Sequence, residues 1–228
     1  MKIIFLIFLS FLSCRSFGQM AIIADKDGYS NVRTSAEKGS KILDTLHNGH
    51  FVFCFETKGN WANIDYSTKG KELNGNIYHD RLKFISDYES IPALTKQNNS
   101  ATYGKDSIKI IVTAEKFDKF KYRVSYSKGS DSQIRFINGK QYWGTDGEQP
   151  KTEYRSILII FGNRTINLPG VAMENLFEPS IYHTQINYDR ENDILYIRSM
   201  NSDGAGSYEV IWRIERGVYK DRYIALGF

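Results

Sequence analysis

Short runs in which apolar and polar residues alternate cover much of the chain after residue 20. Phe51, Phe53 and Phe55 fall on one face of a predicted strand, and residues 121–126 and 133–137 show the same period of two. Asn-Gly pairs at 48–49 and 138–139 separate such runs and are strong hairpin signals. One or two helical turns are expected only over residues 171–177. The pattern therefore predicts an all-β protein.

The predicted strands fall into two groups. Residues 19–86 form the first domain and residues 106–228 the second. Between them, residues 87–105 have Pro92 and a tract rich in Gln, Asn, Ser and Thr, which favours a linker. For the second domain, the strand spacing predicts an antiparallel β-sandwich or curved sheet with at most one short helix. No family is recognised there.

Four segments of the first domain resemble the bacterial SH3-like (SH3b-type) domain. Residues 29–35 are similar to its N-V-R-S opening, and residues 41–49 match its K-V-I-G-x-L-x-x-G segment. Residues 59–64 resemble its G-x-W-x-x-V strand, and residues 75–82 its closing G-x-I-x-x-x-x-L strand. The four occur in the family's order. The resemblance implies a small β-barrel that binds a wall peptide, peptidoglycan or another envelope protein.

The first 18 residues have the features of an export signal. Lys2 precedes an apolar stretch over residues 3–12, which is too short to span a bilayer. Ser16 and Gly18 place small residues three and one positions before a cut ahead of Gln19. A second interpretation makes Cys14 a lipidated first residue. The expected location is therefore periplasmic or secreted, with a lipoprotein anchored through Cys14 as the alternative.

Charge and cysteine content exclude several classes of function. Lys and Arg total 30 against 26 Asp and Glu, a net charge of +4 with no strongly basic half, so nucleic acid is not an expected partner. After cleavage ahead of Gln19, Cys54 is the one remaining cysteine, and no intramolecular disulfide can form. Cys54 lies in an apolar run, which is typical of a buried small hydrophobe.

Catalytic and metal motifs are weak. His47 and His50 flank a turn without acidic or cysteine ligands at suitable spacing, so neither a metal nor another cofactor is expected. Residues 106–228 contain no cysteine nucleophile and no Gly-x-Ser-x-Gly elbow. Asp189, Glu191 and Asp193 lack the remaining ligands of a calcium loop. A hydrolase would need two facing carboxylates, for which the candidates are Glu148, Glu153, Glu174 and Glu178.

Aromatic side chains of the predicted barrel are the better functional candidates. Their rings offer flat apolar surfaces with polar tips, which suit an extended peptide or a glycan. The groove candidates are Tyr29, Trp61, Tyr66, Tyr78 and His79. The alternative for these residues is the barrel core, a solvent-facing position or the junction with the second domain.

The leading hypothesis is an exported, non-catalytic binding protein of the bacterial envelope. One alternative is an inhibitor or immunity-type protein that inserts the 203–206 or 189–193 loop into another protein. The other is a carboxylate-dependent hydrolase in the second domain.

Overall fold

The structure, a computed structural model, describes residues 18–226 and is all-β, as the alternation predicts. Every helical segment in that range is a single three-residue 3-10 turn. The export signal and the lipidation position, Cys14, lie outside the described residues. The chain divides into two compact units, with the boundary after Leu82.

The first unit contains most of a seven-stranded β-sheet. Its strands are β1 (Gln19–Ile23), β2 (Tyr29–Arg33), β3 (Ile42–His47), β4 (Phe51–Lys58), β5 (Trp61–Thr68), β6 (Lys71–Tyr78) and β7 (Leu82–Phe84). Their order across the sheet is β3-β2-β6-β5-β4-β1-β7, and the unit boundary falls within β7. A 3-10 turn, His79–Arg81, follows β6, and another, Ile85–Asp87, follows β7.

The strands of the first unit bury one face because apolar residues recur at every second position. On β5, Ala62, Ile64 and Tyr66 are buried. Strand β4 does not have one buried and one exposed face over its first half, because Phe51 to Cys54 are all buried. A register shift between Cys54 and Glu56 accounts for the extra residue, Phe55, whose ring lies edge-on to that of Phe53.

The predicted hairpin at Asn48-Gly49 joins β3 to β4. Gly49 has φ of 81°, which a hairpin turn requires and glycine adopts without strain. The Asn48 side chain accepts a hydrogen bond from the Asp25 amide at 2.8 Å and donates one to the Asp25 carbonyl at 2.7 Å. The Asp25 carboxylate in turn pairs with Arg81 at 3.0 Å. These contacts tie the hairpin to the 3-10 turn after β6.

The second unit contains two five-stranded antiparallel sheets. Its strands are β8 (Glu89–Ser90), β9 (Ala93–Gln97), β10 (Ser100–Lys105), β11 (Ile108–Lys116), β12 (Val124–Tyr126), β13 (Ile134–Ile137), β14 (Thr152–Phe161), β15 (Arg164–Asn167), β16 (Thr184–Asp189), β17 (Ile194–Asn201), β18 (Tyr208–Glu215) and β19 (Val218–Leu226). The sheet orders are β15-β14-β11-β10-β9 and β19-β18-β17-β16-β8, while β12 and β13 form a separate hairpin.

One apolar core of the unit draws on both five-stranded sheets, so this unit is the predicted β-sandwich. Trp212 of β18 is fully buried, and its indole N–H donates to the Ala172 carbonyl at 2.6 Å. Tyr154 of β14 packs edge-on to Trp212 at 5.4 Å between ring centroids. The helical turns expected over residues 171–177 are reduced to the 3-10 turn Gly170–Ala172.

The segment expected to be a linker, residues 87–105, differs from that expectation. It contributes β8 to one sheet of the sandwich and β9 and β10 to the other. Ala101 and Tyr103 alternate on β10 and are buried, and the Tyr103 hydroxyl donates to the Thr184 carbonyl at 3.0 Å. The polar residues that favoured a linker are spread over β9, the turn at residues 98–99 and β10, and the side chains of β9 are all exposed at a sheet edge.

Candidate functional site

Two aromatic rings stack on the outer face of the first unit. Trp61 opens β5 and Tyr78 closes β6, and the antiparallel register places them directly opposite each other. Their ring centroids lie 4.1 Å apart with the planes inclined by 24°. Both side chains are half-buried, so ring surface stays open to solvent. We call Trp61 and Tyr78 the aromatic pair.

Amide side chains continue the same face beyond the aromatic pair. Asn63 of β5 and Asn74 of β6 are diagonal neighbours across the two strands, and their side chains exchange two hydrogen bonds of 3.1 Å. Asn74 also donates to the Asp65 carboxylate at 2.8 Å, and Asn76 donates to the Thr34 carbonyl at 3.5 Å. The aromatic pair is thus bordered by a row of hydrogen-bonding groups. These asparagines were not among the predicted site residues, although their alternation with Ala62, Ile64 and Ile77 indicates an outward face.

The other predicted groove residues are dispersed. Tyr29 is 45% exposed at the start of β2, and its ring lies edge-on to the imidazole of His47 at 6.4 Å. His79 is exposed on the 3-10 turn directly after Tyr78. Of the five candidates, therefore, Trp61 and Tyr78 form a contacting pair, and His79 adjoins it in sequence.

Tyr66 cannot line a groove, because its side chain is fully buried. It lies five residues after Trp61 on the same strand, and that odd spacing sends the two rings to opposite faces. Its hydroxyl has no hydrogen-bond partner among the residues that the structure describes. Burial, with a smaller effect of Asp44, raises the pKa of this phenol above its usual value.

A cavity of about 690 Å³ opens in the second unit. Three chain segments line it, over residues 144–151, 178–183 and 202–206. Gly144 has φ of 117°, and a Cβ there would lie 2.3 Å from the Phe177 carbonyl oxygen, so only glycine allows this close approach. Ser202 closes the same corner by donating from its hydroxyl to the Gly144 carbonyl at 2.6 Å.

A serine and a histidine meet at the wall of this cavity. The Ser180 hydroxyl lies 3.1 Å from Nδ1 of His183, on the turn Ile181–His183. Buried side chains support that turn. Oδ1 of Asn201 accepts three hydrogen bonds, from the Ser180 amide, the Tyr154 hydroxyl and the Ser199 hydroxyl. Ser180 and His183 are three residues apart in sequence, but Asn201 and Tyr154 come from β17 and β14, so the whole cluster is visible only in the folded chain.

The four glutamates considered for hydrolysis have different surroundings. Glu153 is buried and accepts from the Tyr122 hydroxyl, and Glu174 pairs with Lys140 at 2.9 Å. Glu178 lines the cavity, but its carboxylate accepts hydrogen bonds from the Lys151 amide and from the amide and hydroxyl of Thr152. Glu148 lines the same cavity, together with Asp146 and Asp203.

The two loops considered for insertion into a partner are tied to the protein. Gly206 of the 203–206 loop lies against the backbone of Thr145. Asp189 accepts from the side chain of Asn192 at 2.7 Å, and Asp193 accepts from the Tyr188 hydroxyl at 2.8 Å. The 189–193 segment is therefore a hydrogen-bonded turn.

Cys54 is buried, as predicted, and desolvation raises the pKa of its thiol to about 11. A thiol with so high a pKa is a poor nucleophile at neutral pH. Among residues 18–226, no group of three or more His, Cys, Asp or Glu side chains is arranged to hold a metal ion.

Comparisons of the chain with protein-family models, with curated proteins and with solved structures gave no match. Within the described part of the chain, no helix has the length and apolar character needed to cross a membrane.

Proposed function

We propose that this protein is an exported binding protein of the bacterial envelope, and that its first unit is an SH3-like module which recognises a wall peptide or peptidoglycan. The observation that carries the proposal is the half-exposed stack of Trp61 on Tyr78, bordered by asparagines. The order of the SH3-like sequence segments and the export-type N-terminus support the same function.

The chemistry of such a ligand fits this surface. A wall peptide or a glycan presents small apolar faces between many hydrogen-bonding groups. A stacked aromatic pair supplies rigid contact area that loses little conformational entropy on binding. The amide hydrogens of Asn63 and Asn74 are already donated within the row, so their acceptor oxygens, the Asn76 amide and the Asp65 carboxylate are the groups that a ligand would use.

The test is co-sedimentation of the mature chain with purified sacculi, with Tyr78→Ala as the main variant. We expect Tyr78→Ala to weaken binding by about tenfold or more, because aromatic truncation in a binding surface removes roughly 1–2 kcal/mol. Tyr182→Ala is the matched control, since Tyr182 is an exposed tyrosine of the second unit, at 51% exposure. Circular dichroism of each variant checks that the fold is kept.

Equal binding of the wild type and Tyr78→Ala would contradict the assignment of the surface. Absence of binding to sacculi would contradict the proposal that the ligand is a wall peptide or peptidoglycan. In that case, a pull-down from envelope extract would show whether the partner is an envelope protein. Asn76→Ala is a milder variant of the same face, and it is expected to weaken binding by a smaller factor than Tyr78→Ala.

A second candidate function, hydrolysis in the second unit, is favoured by the cavity that gathers Glu148, Asp146 and Asp203 beside Ser180 and His183. Glu148 is the carboxylate that this function would use, because Glu178 is occupied by backbone and threonine donors. Release of soluble fragments from sacculi by the wild type, lost in Glu148→Gln, would support hydrolysis. Absence of release would leave binding as the function.

A further inference from the structure

Residues 116–140 of the second unit, which we call the basic lobe, concentrate positive charge. The lobe has two acidic residues, Asp118 and Asp131, against seven basic ones: Lys116, Lys119, Lys121, Arg123, Lys128, Arg135 and Lys140. All seven basic side chains are exposed. The whole chain carries only +4, so the rest of it is on balance acidic. The charge of this protein is therefore unevenly distributed, although its total is small.

Some of the lobe's charge is already paired within the unit. Lys121 contacts Glu115 at 2.8 Å and Glu153 at 3.3 Å, and Lys140 contacts Glu174 at 2.9 Å. The other five basic side chains still outnumber the two acids of the lobe. Asp118 is also engaged, because its carboxylate accepts from the Phe120 amide at 3.0 Å.

The lobe also has the most exposed large apolar side chain among the described residues. Phe120 is 89% exposed on the 3-10 turn Lys119–Lys121, and the ammonium group of Lys119 lies 5.3 Å from its ring centroid. An isolated exposed apolar residue needs no explanation by itself. This ring, however, is held at the centre of a basic turn.

The segment that exposes Phe120 is well packed on both sides of that residue. Phe117 and Tyr122, on either side of the turn, stack on each other at 5.1 Å. Both also pack edge-on against the buried ring of Phe177. The Tyr122 amide closes the turn by donating to the Lys119 carbonyl at 3.2 Å. The turn is thus anchored at both ends while its middle residue projects into solvent.

We propose that the basic lobe docks on the surface of an anionic lipid membrane, with Phe120 entering the interface and the surrounding lysines and arginines facing the headgroups. Charge complementarity selects the partner, since basic side chains near an anionic bilayer are attracted by its surface potential. The projecting ring favours a bilayer over an acidic protein or nucleic acid, because a bilayer admits an apolar side chain without a preformed pocket.

The test uses flotation of the mature chain with vesicles of phosphatidylcholine mixed with phosphatidylglycerol, compared with phosphatidylcholine alone. We expect binding to the anionic vesicles only, and its loss at about 0.5 M NaCl, where the Debye length is roughly 4 Å. Phe120→Ser should weaken binding by about tenfold through loss of apolar burial. Lys119→Glu should weaken it by about fivefold or more.

Two variants outside the lobe serve as matched controls. Val171→Ser removes another exposed apolar side chain of the same unit, at 60% exposure, and Lys109→Glu reverses an exposed lysine on β11. Both should bind anionic vesicles as the wild type does. A Phe120→Trp variant should show a blue-shifted emission on binding and quenching by brominated lipid.

Three results would overturn the proposal. The first is failure to bind anionic vesicles at low salt, and the second is equal binding to neutral ones. The third is an unquenched Trp at position 120 together with unchanged affinity of Phe120→Ser, which would indicate a purely electrostatic patch for a soluble polyanion. None of these results depends on whether the first unit binds sacculi.

Discussion

Individual tyrosines in this protein differ mainly in what their hydroxyl groups contact. Tyr208 is fully buried, and its hydroxyl donates to the Phe177 carbonyl at 2.9 Å. Tyr66 is equally buried, but its hydroxyl has no hydrogen-bond partner within residues 18–226. Burying a hydroxyl without a hydrogen bond costs free energy, whereas a satisfied one contributes about 1 kcal/mol. The same substitution should therefore have opposite effects at the two positions.

We expect Tyr66→Phe to leave the free energy of unfolding unchanged or to raise it by up to about 1 kcal/mol, because it removes an unsatisfied polar group. Tyr208→Phe should lower it by about 1–2 kcal/mol, since the Phe177 carbonyl loses its donor. Urea denaturation of both variants measures the difference. A loss at position 66 as large as that at position 208 would show that the Tyr66 hydroxyl has a stabilising contact.

At the scale of elements, the position of a strand within its sheet decides how well its backbone amides are protected from exchange, more than its amino-acid composition does. Strand β10 lies between β9 and β11 and pairs with both along its length. Strand β9 lies at the edge and exposes all its side chains. Both come from the polar segment that was expected to be a linker, yet only β9 has the open edge at which amides exchange readily.

Hydrogen exchange should distinguish a strand from a linker here. We expect the amides of β10 to be protected to about the same degree as those of β11, because they are hydrogen-bonded inside a buried sheet. Peptides covering β9 should exchange faster. Exchange of the whole 87–105 segment at the rate of an unfolded chain, measured by mass spectrometry, would contradict the strand assignment.

At the scale of the second unit, an ionic cluster joins elements that are distant in sequence. Glu89 of β8 pairs with Lys105 at the end of β10 at 2.7 Å and with Arg190 after β16 at 2.7 Å. Arg190 also contacts Asp106 at 3.0 Å. Hydrogen bonds from Arg190 and then Lys105 lower the pKa of Glu89 to about 2. These side chains link the two sheets of the sandwich at one end.

Because the pKa of Glu89 is lowered in the folded state, the free energy of unfolding depends on pH in the acid range. A glutamate that ionises more readily in the folded state stabilises the protein above its unfolded pKa, about 4.3, and that stability is lost as the pH falls towards 2. Glu89→Gln should therefore lower the free energy of unfolding at neutral pH but have little effect near pH 2. Urea denaturation of the wild type and Glu89→Gln between neutral pH and about pH 2 measures this difference in the free energy of unfolding. Glu191→Gln, an exposed acid in the adjoining turn, is the control and should keep the wild-type slope.

The alternation of apolar residues by itself determined the all-β class, the hairpin at Asn48-Gly49 and the aromatic candidates. These depend on period two and turn chemistry, which act over a few residues. Only the tertiary structure decided that Trp61 and Tyr78 stack, that residues 87–105 join the sandwich and that Asn201 supports the turn carrying Ser180 and His183. Such outcomes depend on which distant strands become neighbours, because side chains from separate segments contact one another only after the sheets have paired and packed.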